Sequence, residues 1–417
     1  MPISRRHALA LGAAAAAGAA LEPRRALSAD AAAALKPMTG DVKPISRDEY
    51  LLRIEKARKL MGQHGIGALL IEPGASMVYF TGVQWHRSER LTAVIIPREG
   101  DIAIVTPFFE APRVSESLEV PAELRVWQED EDPLKTVAGL LADRKVRDPV
   151  GIEETVRYFA IDGLMRALPD VQIMSGAAVV RACRMMKSPN ELALMQKAAD
   201  ITIAAYRYVG PRIQKGMTPH DIGAMMDAAH KALGGEPEFA LILLGEAAAY
   251  PHGSGKPQSV KDGEVVLMDC GCTVQGYQSD ISRTFVFGDP TTEQRKVWQQ
   301  MRQGQQVAIE TARVGVPAGA VDDAVRAQYE KWGYGPGYKL PGCSHRTGHG
   351  IGLDGHEPVN LVHGETMPLA PYMCFSNEPG LYLPGKFGIR LEDCFHMGEK
   401  EPIWFSTPPD SIDKPFG

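Results

Sequence analysis

The stretch Val265–Gly288 reads VVLMDCGCTVQGYQSDISRTFVFG, and two carboxylates, Asp269 and Asp280, interrupt an otherwise apolar, β-prone run. The pattern favours one buried strand over Val265–Gly271 and a second over Tyr277–Phe287. The few residues between them have the length and the glycine of a tight turn. The stretch therefore predicts a β-hairpin that carries one acidic side chain on each strand.

The register of this hairpin decides how close the two carboxylates lie. A turn centred between Val274 and Gln275 places Asp269 directly opposite Asp280, with Cβ atoms roughly 4.5–5.5 Å apart. Two carboxylates that close in an apolar sheet repel each other unless a proton or a cation lies between them. The alternative interpretation is that Asp280 caps a turn and that Asp269 is a surface residue.

Length and composition describe a two-domain globular protein. A chain of 417 residues exceeds the usual size of a single core. Its 44% apolar and 23% charged residues are typical of soluble globular proteins. A net charge of −6 gives no reason to expect nucleic acid or an anionic membrane as a partner.

The first thirty residues have a different composition. Paired arginines at positions 5 and 6 precede an Ala/Gly/Leu run over Ala8–Leu21, and small residues follow near position 28. This order is typical of an export signal, and the paired arginines indicate the twin-arginine route to the periplasm. A disordered, alanine-rich leader is the alternative. We expect residues 1–30 to be the signal and residues 31–45 to be a linker.

The six cysteines indicate buried side chains rather than a zinc site or a disulfide framework. They form no CxxC pair, and an even number does not establish disulfides. Alternation along the strand places Cys270 and Cys272 on the face opposite Asp269. The other four are Cys183, Cys343, Cys374 and Cys394.

Residues 46–186 alternate helical and strand-like patterns, which predicts an N-terminal α/β domain. Ser46 and Glu49 form a capping box at the start of a helix that ends near Gly65. The strand-like run Ala68–Ile71 follows. Neither GxGxxG nor a P-loop occurs, so nucleotide binding has no support. Further apolar runs cover Met77–Phe80, Leu91–Pro97 and Asp101–Pro107, and further helical patterns cover Asp132–Asp143 and Ala160–Leu168.

Residues 187–417 contain a weak internal repeat. The boundary falls at Lys187–Asn190, and two pairs of helical patterns follow, each pair beside one strand-rich segment. The repeat predicts a pseudo-two-fold domain with helices outside and a sheet inside; chance similarity between helix pairs is the alternative. The helical patterns cover Pro189–Ile213, Thr218–Leu233, Thr291–Ala312 and Ala318–Trp332.

A histidine-rich stretch forms the second candidate part of the site. Four glycines lie between His345 and His356, and they favour a backbone that packs closely against neighbouring groups or a ligand rather than a helix. Imidazole is a common metal ligand, so His349 is a candidate with two histidines near it.

A second predicted hairpin follows, centred on Gly385. This centre places Glu378 opposite Glu392. Alternation puts Arg390 on the same face as Glu392 and puts Asp393 on the other face. Two hairpins can thus each deliver an acidic pair to one sheet face.

Four carboxylates and one imidazole carry a formal charge of −4, which two divalent cations would neutralise. Such ligands suit manganese, and also iron, cobalt or zinc. Two metals roughly 3.5–4 Å apart can share a bridging hydroxide that acts as a nucleophile near neutral pH. The candidate ligands are Asp269, Asp280, His349, Glu378 and Glu392.

Together these motifs resemble the creatinase/prolidase/methionine-aminopeptidase family of "pita-bread" metallopeptidases, and most of all its Xaa-Pro branch. The resemblance covers about residues 46–400 and includes Tyr79–Gly82, Lys187–Glu191, and Gly276–Asp280 with Arg283-Thr284. It implies an α+β fold. The N-terminal part would be an α/β creatinase-like domain, and the C-terminal part a curved antiparallel pita-bread sheet with outer helices.

The resemblance also implies roles for the site residues. Asp269 would hold one metal, His349 and Glu378 the other, and Asp280 and Glu392 would bridge them. Glu378 would in addition act as the general base.

Four further roles follow from the same resemblance. His252 and His356 would stabilise the developing oxyanion or the leaving nitrogen, and His345 would face the prolyl end of the substrate. Arg390 would orient a bridging carboxylate. From the residues alone, a structural role for His252 and a simple salt bridge for Arg390 stay open.

The chain departs from the family pattern beside these motifs. Ser376-Asn377 stands where members often have Thr-Val or Thr-Ile, and Glu357 stands where many have Asp. Neither departure is expected to touch a proposed ligand. Trp85 is either a residue that shapes the pocket or a buried core side chain.

The favoured function is a metallopeptidase that cleaves the bond before proline in dipeptides or short peptides. The sequence leaves dipeptidase and aminopeptidase P activity open. Alternatives are a non-peptidase enzyme on the same fold, such as an amidinohydrolase or a sulfur-compound lyase, and a catalytically silent binding protein. The resemblance implies a homodimer.

Overall fold

A computed structural model describes residues 35–416 in two α/β parts. The expected export signal, residues 1–30, lies outside the described residues. In the described part of the chain, no helix is long and apolar enough to span a bilayer.

The N-terminal part is a six-stranded mixed sheet with helices around it. The sheet order is β4-β3-β2-β1-β5-β6. Its strands are β1 (Ala68–Ile71), β2 (Ala93–Pro97), β3 (Ala103–Pro107), β4 (Glu123–Trp127), β5 (Val150–Ile152) and β6 (Ile173–Ser175). Its helices are α1 (Arg47–His64), α2 (Ala75–Thr81), α3 (Ala111–Glu116), α4 (Pro133–Asp143), α5 (Tyr158–Ala167) and α6 (Ala177–Met185).

Local sequence signals explain where α1 begins and ends. The Ser46 side chain accepts from the Glu49 N–H, and the Glu49 carboxylate accepts from the Ser46 N–H, which forms the expected capping box. Gly65 ends the helix in the left-handed conformation with φ 66°. The apolar run Met77–Phe80 lies in the short helix α2 and not in the sheet.

The C-terminal part is built from antiparallel strands with four long helices. The first sheet has the order β10-β8-β7, and the second has the order β12-β11-β13-β16-β17. The helices are α7 (Pro189–Val209), α8 (Pro219–Leu233), α9 (Thr292–Thr311) and α10 (Ala318–Lys331). The strands are β7 (Glu236–Leu244), β8 (Val265–Val274), β9 (Tyr277–Gln278), β10 (Ile281–Val286), β11 (Gly348–Gly350), β12 (Glu357–Leu361), β13 (Cys374–Asn377), β14 (Leu381–Leu383), β15 (Phe387–Ile389), β16 (Asp393–Met397) and β17 (Pro402–Trp404).

Two apolar cores lie between these helices and strands. One core joins β8 to α7 and α8 and includes the buried Cys270 and Cys272. The other joins α9 and α10 to the strands of the second sheet. All six cysteines are buried and free, as the sequence indicates. The two sheets meet where the Glu392 N–H donates to the Ser282 carbonyl at 3.1 Å.

The segment before α1 lies against the C-terminal part. The Met38 N–H donates to the Leu233 carbonyl at 2.8 Å, and Asp41 pairs with Lys197 at 2.9 Å. The described part of the expected linker is therefore docked along α7 and α8 rather than free.

Candidate metal centre

The β8–β10 hairpin carries the first acidic pair, but its register differs from the expected one. The turn residues are Gln275 and Gly276, with φ 52° and 80°, and a two-residue turn with two positive φ values is type I′. The turn centre lies one residue later than predicted, so Asp269 faces Ser282 and not Asp280. Because this shift moves each partner by two positions, both carboxylates stay on one face.

The second hairpin has the expected register. Asn377 pairs with Asp393 in β13–β16, and Leu381 pairs with Ile389 in β14–β15, so both ladders share the centre Gly385. Glu378 and Glu392 lie between the two ladders, where the strand pairing is interrupted. The interruption frees both carboxylates to turn toward the first hairpin.

The two hairpins and β11 bring all five predicted ligands together. Three overlapping groups each have ligand atoms within 4.8 Å of one another. The groups are Asp269, Asp280 and Glu392; His349, Glu378 and Glu392; and Asp280, His349 and His356.

His349 is oriented by its own strand. Its Nδ1 lies 3.0 Å from the Gly350 carbonyl, so Nδ1 carries a proton, and Nε2 faces the carboxylates, where it would present a lone pair to a bound metal. That Nε2 lies 3.2 Å from Glu378 Oε1 and 3.6 Å from Asp280 Oδ2. A Cβ on Gly348 would lie 2.1 Å from the Ser376 carbonyl, which explains the glycine in this closely packed backbone.

The electrostatics of the cluster favour bound cations. Burial, and then repulsion from neighbouring carboxylates, raises the pKa of Asp280 and of Glu392 well above their ordinary values. Burial also raises the pKa of Glu378, but the hydrogen bond and charge of a protonated His349 outweigh it and lower that pKa.

Two buried carboxylate oxygens in the cluster lack a partner. Asp269 Oδ1 and Glu392 Oε1 accept no hydrogen bond from any described residue. Unpaired buried carboxylate oxygens are costly, and oxygen-rich sites with one imidazole suit divalent metals such as manganese. The residues present therefore fit divalent metal ions.

Arg390 holds the cluster differently from the expectation. Its Nη2 donates to Asp269 Oδ2 at 2.6 Å and its Nε donates to Ser282 Oγ at 3.0 Å. The Ser282 hydroxyl in turn donates to Glu392 Oε2 at 2.8 Å. Arg390 thus contacts Asp269 directly and reaches the proposed bridging residue Glu392 only through a serine. The sequence reasoning missed Ser282, which a correct turn position would have placed opposite Asp269.

The three additional histidines lie at different distances from the cluster. The rings of His356 and His349 lie 4.0 Å apart between centroids, which places His356 beside the ligands. His345 Nε2 lies 2.7 Å from the Tyr382 hydroxyl, and Arg390 Nη1 contacts that same hydroxyl at 3.2 Å. His252 is exposed on a loop whose Pro251 carbonyl accepts from Arg390.

The contacts of His356 favour a neutral imidazole ring. Arg346 Nη2 lies 3.2 Å from His356 Nδ1. A guanidinium only donates, so this nitrogen accepts and the ring proton is on Nε2. Burial, followed by the charges of His349 and Arg346, lowers the pKa of His356 to about 4.

One departure from the family pattern touches a proposed ligand, contrary to expectation. The Ser376 hydroxyl accepts from the His349 N–H at 3.0 Å and donates to Glu378 Oε1 at 3.3 Å. Glu357 instead binds Lys187 at 2.9 Å and Arg184 at 2.5 Å. Trp85 is half-buried and packs against the N-terminal core, with the Arg113 guanidinium 5.6 Å from its ring centre.

Comparisons with known proteins agree with this site and fold. Residues 193–399 match the family model described as Metallopeptidase family M24, and residues 53–186 match the Creatinase/Prolidase N-terminal domain.

Named relatives cover nearly all of the described chain. The chain is 31% identical over 367 residues to the probable dipeptidase PepE of Mycobacterium tuberculosis, covering 87% of this chain and 96% of that protein. It is 29% identical to the Xaa-Pro dipeptidase of Lactobacillus helveticus, covering 82% and 93%. The X-Pro aminopeptidase structure from Thermotoga maritima superposes with a TM-score of 0.77 at 28% identity, covering 86% and 98%. The chain therefore belongs to metallopeptidase family M24, and it is a metallopeptidase with a creatinase-type N-terminal domain and a pita-bread C-terminal domain.

Proposed function

We propose that this metallopeptidase hydrolyses the bond before proline in dipeptides or short peptides, with two divalent metal ions held by the five-residue cluster. The observation that carries the proposal is the cluster itself, in which two buried carboxylate oxygens lack any described partner. The names of the relatives support the Xaa-Pro substrate class. Asp269 would hold one ion, His349 and Glu378 the other, and Asp280 and Glu392 would bridge them.

Two divalent ions held by these residues would supply a nucleophile by lowering the pKa of water and would polarise the scissile carbonyl. Manganese is our proposed metal, because carboxylate ligands dominate the set. The chain's own residues then hold and move protons. Glu378, whose pKa is lowered in the cluster, is ionised near neutral pH and can accept a proton from the attacking water.

The histidines serve the other end of the scissile bond. A prolyl nitrogen must gain a proton to leave as an amine. The neutral His356 ring carries its proton on Nε2, and His356 lies beside the ligands, so it can donate to the oxyanion or to the leaving nitrogen. We assign His252 to the same end and His345 to the prolyl side of the pocket.

The proposal also covers the cellular location of the enzyme. The paired arginines and apolar run within residues 1–30 support export to the periplasm through the twin-arginine route.

The proposed homodimer rests on the family resemblance. Size-exclusion chromatography with light scattering would measure the mass of the protein in solution, and the mass of a monomer would contradict the proposed homodimer.

The deciding experiment compares three peptides. We expect manganese-loaded protein to cleave Ala-Pro or Ala-Pro-Ala faster than Ala-Ala, with cleavage abolished by chelation and restored by metal. Glu378→Gln is the matched variant, expected to lose at least about 100-fold in kcat because the proton acceptor is removed. Cleavage of Ala-Ala at the same rate as the prolyl peptides would remove the Xaa-Pro assignment.

A further inference from the structure

Arg346 stands out among the arginines around the metal centre because its charge has no acidic partner. Arg390 pairs with Asp269 at 2.6 Å, and Arg326 pairs with Asp322 at 2.7 Å. Within residues 35–416, no carboxylate lies within ion-pair distance of Arg346. Its side-chain contact is the His356 ring at 3.2 Å.

Because Arg346 has no acidic partner, most of the N–H donors of its guanidinium remain free to bind a ligand. It carries five N–H donors and stays charged at all physiological pH values. The contact with His356 uses one of these donors. The planar arrangement of the others matches a carboxylate, which arginine binds through two parallel hydrogen bonds.

The position of Arg346 fits the end of a very short substrate. His356 shares a group with Asp280 and His349 whose ligand atoms lie within 4.8 Å of one another, and Arg346 lies one hydrogen bond beyond His356. One residue of extended chain spans about 3.3–3.6 Å. In a dipeptide the free carboxylate follows the scissile carbonyl by a single residue, whereas a longer peptide has a neutral amide there.

We propose that Arg346 binds the free C-terminal carboxylate of the substrate and thereby selects dipeptides over longer peptides. The inference rests on the proposed Xaa-Pro function and deepens it, because it commits this site to dipeptidase rather than aminopeptidase activity. Arg346 acts here as a specificity residue that touches the substrate. The competing role is that it only orients His356.

A binding experiment separates these two roles without relying on turnover. The ligand is an Ala-Pro analogue whose scissile carbonyl is reduced to methylene, prepared once as the free acid and once as the amide. Calorimetry with the manganese-loaded full-length protein should show the acid binding about 10- to 100-fold more tightly, as expected for charge-assisted hydrogen bonds. Arg346→Met should remove this preference, and Arg346→Lys should restore part of it.

The control is Arg147→Met, which changes an exposed arginine in the N-terminal part and should leave the preference intact. An equal loss of affinity for acid and amide in Arg346→Met would show that Arg346 only orients His356, and would overturn the proposal. So would a wild-type protein that binds both forms equally. If the wild type prefers the acid but fails to cleave Ala-Pro, the proposed function falls while carboxylate recognition by Arg346 stands.

Discussion

Single hydroxyl groups determine how the ligand carboxylates are held. Ser282 lies between Arg390 and Glu392, and it receives one hydrogen bond while donating another. Ser376 performs a similar task for His349 and Glu378. Groups that hydrogen-bond metal ligands commonly change metal affinity by 10- to 100-fold when they are removed. The sequence analysis singled out the charged ligands, missed Ser282, and named Ser376 only as a departure from the family pattern, because a hydroxyl carries no pattern of its own.

Replacing Ser282 tests this role. Ser282→Ala removes the donor to Glu392 Oε2, on a carboxylate whose other oxygen already lacks a described partner. We expect metal affinity, measured by calorimetric titration of the metal-free protein, to fall about 10- to 100-fold. Ser115→Ala, at an exposed position in α3, is the control and should bind metal like the wild type. Unchanged affinity in Ser282→Ala would mean that Arg390 alone orients the carboxylates.

At the scale of elements, the two hairpins show what a sequence can predict about register. The second register was predicted correctly because Gly385 has φ 76° and both ladders share its centre. The first was wrong by one residue because Gln275, not a glycine, takes the first left-handed position. The helix starts at Arg47 and Pro189 were predicted well, and in the structure a capping box marks each of them, at Ser46 and Ser188.

The unusual turn residue leads to a stability prediction. Gln275 is exposed and has φ 52°, a conformation that asparagine tolerates better than glutamine. We expect Gln275→Asn to stabilise the protein by about 0.5–1 kcal/mol, measured as a higher urea midpoint. The same substitution at Gln299, exposed in α9, should lower stability slightly because asparagine is the weaker helix former. A lower urea midpoint for Gln275→Asn would contradict the claim that Gln275 is strained at this turn.

At the scale of the whole molecule, two buried polar networks join the N-terminal part to the catalytic part. Arg53 of α1 donates to the Tyr277 hydroxyl at 2.9 Å and pairs with Glu191 at 3.2 Å. Tyr277 follows the turn of the hairpin that carries Asp280. The sequence separated the two domains at Lys187 but gave no sign of these links, because the contacts join residues far apart in the chain.

The second network fixes the loop that contains His356. Glu357 accepts from Arg184 of α6 and from Lys187 at the domain boundary. It also accepts from the Leu353 and Asp354 N–H groups at 3.1 and 3.2 Å. One carboxylate therefore ties the residues just before His356 to a helix of the N-terminal part. Burial alone would raise the pKa of Glu357, but Lys187 and Arg184 lower it to about 2.

Removing this charge should weaken both the fold and the site. Glu357→Gln keeps the size of the side chain but leaves two buried cations short of a counter-charge, which costs about 3–5 kcal/mol when a buried pair is broken. We expect a lower urea midpoint and a reduced kcat, because the His356 loop loses its anchor. Asp354→Asn is the matched control. It removes a half-exposed partner of the same Arg184 and should cost less than about 1 kcal/mol.

The lowered pKa of Glu357 also predicts how the stability difference between the wild type and Glu357→Gln depends on pH. A carboxyl whose folded pKa is about 2, against an ordinary 4.5, stabilises the fold fully above pH 4.5 and loses this contribution as pH falls toward 2. The stability gap between wild type and Glu357→Gln should therefore be constant near neutral pH. Below pH 4.5 it should narrow by at most about 1.4 kcal/mol for each pH unit. Urea titrations of both proteins between pH 7 and pH 3 measure the gap. A gap that widens in acid would show that Glu357 is not the ionised centre of this junction.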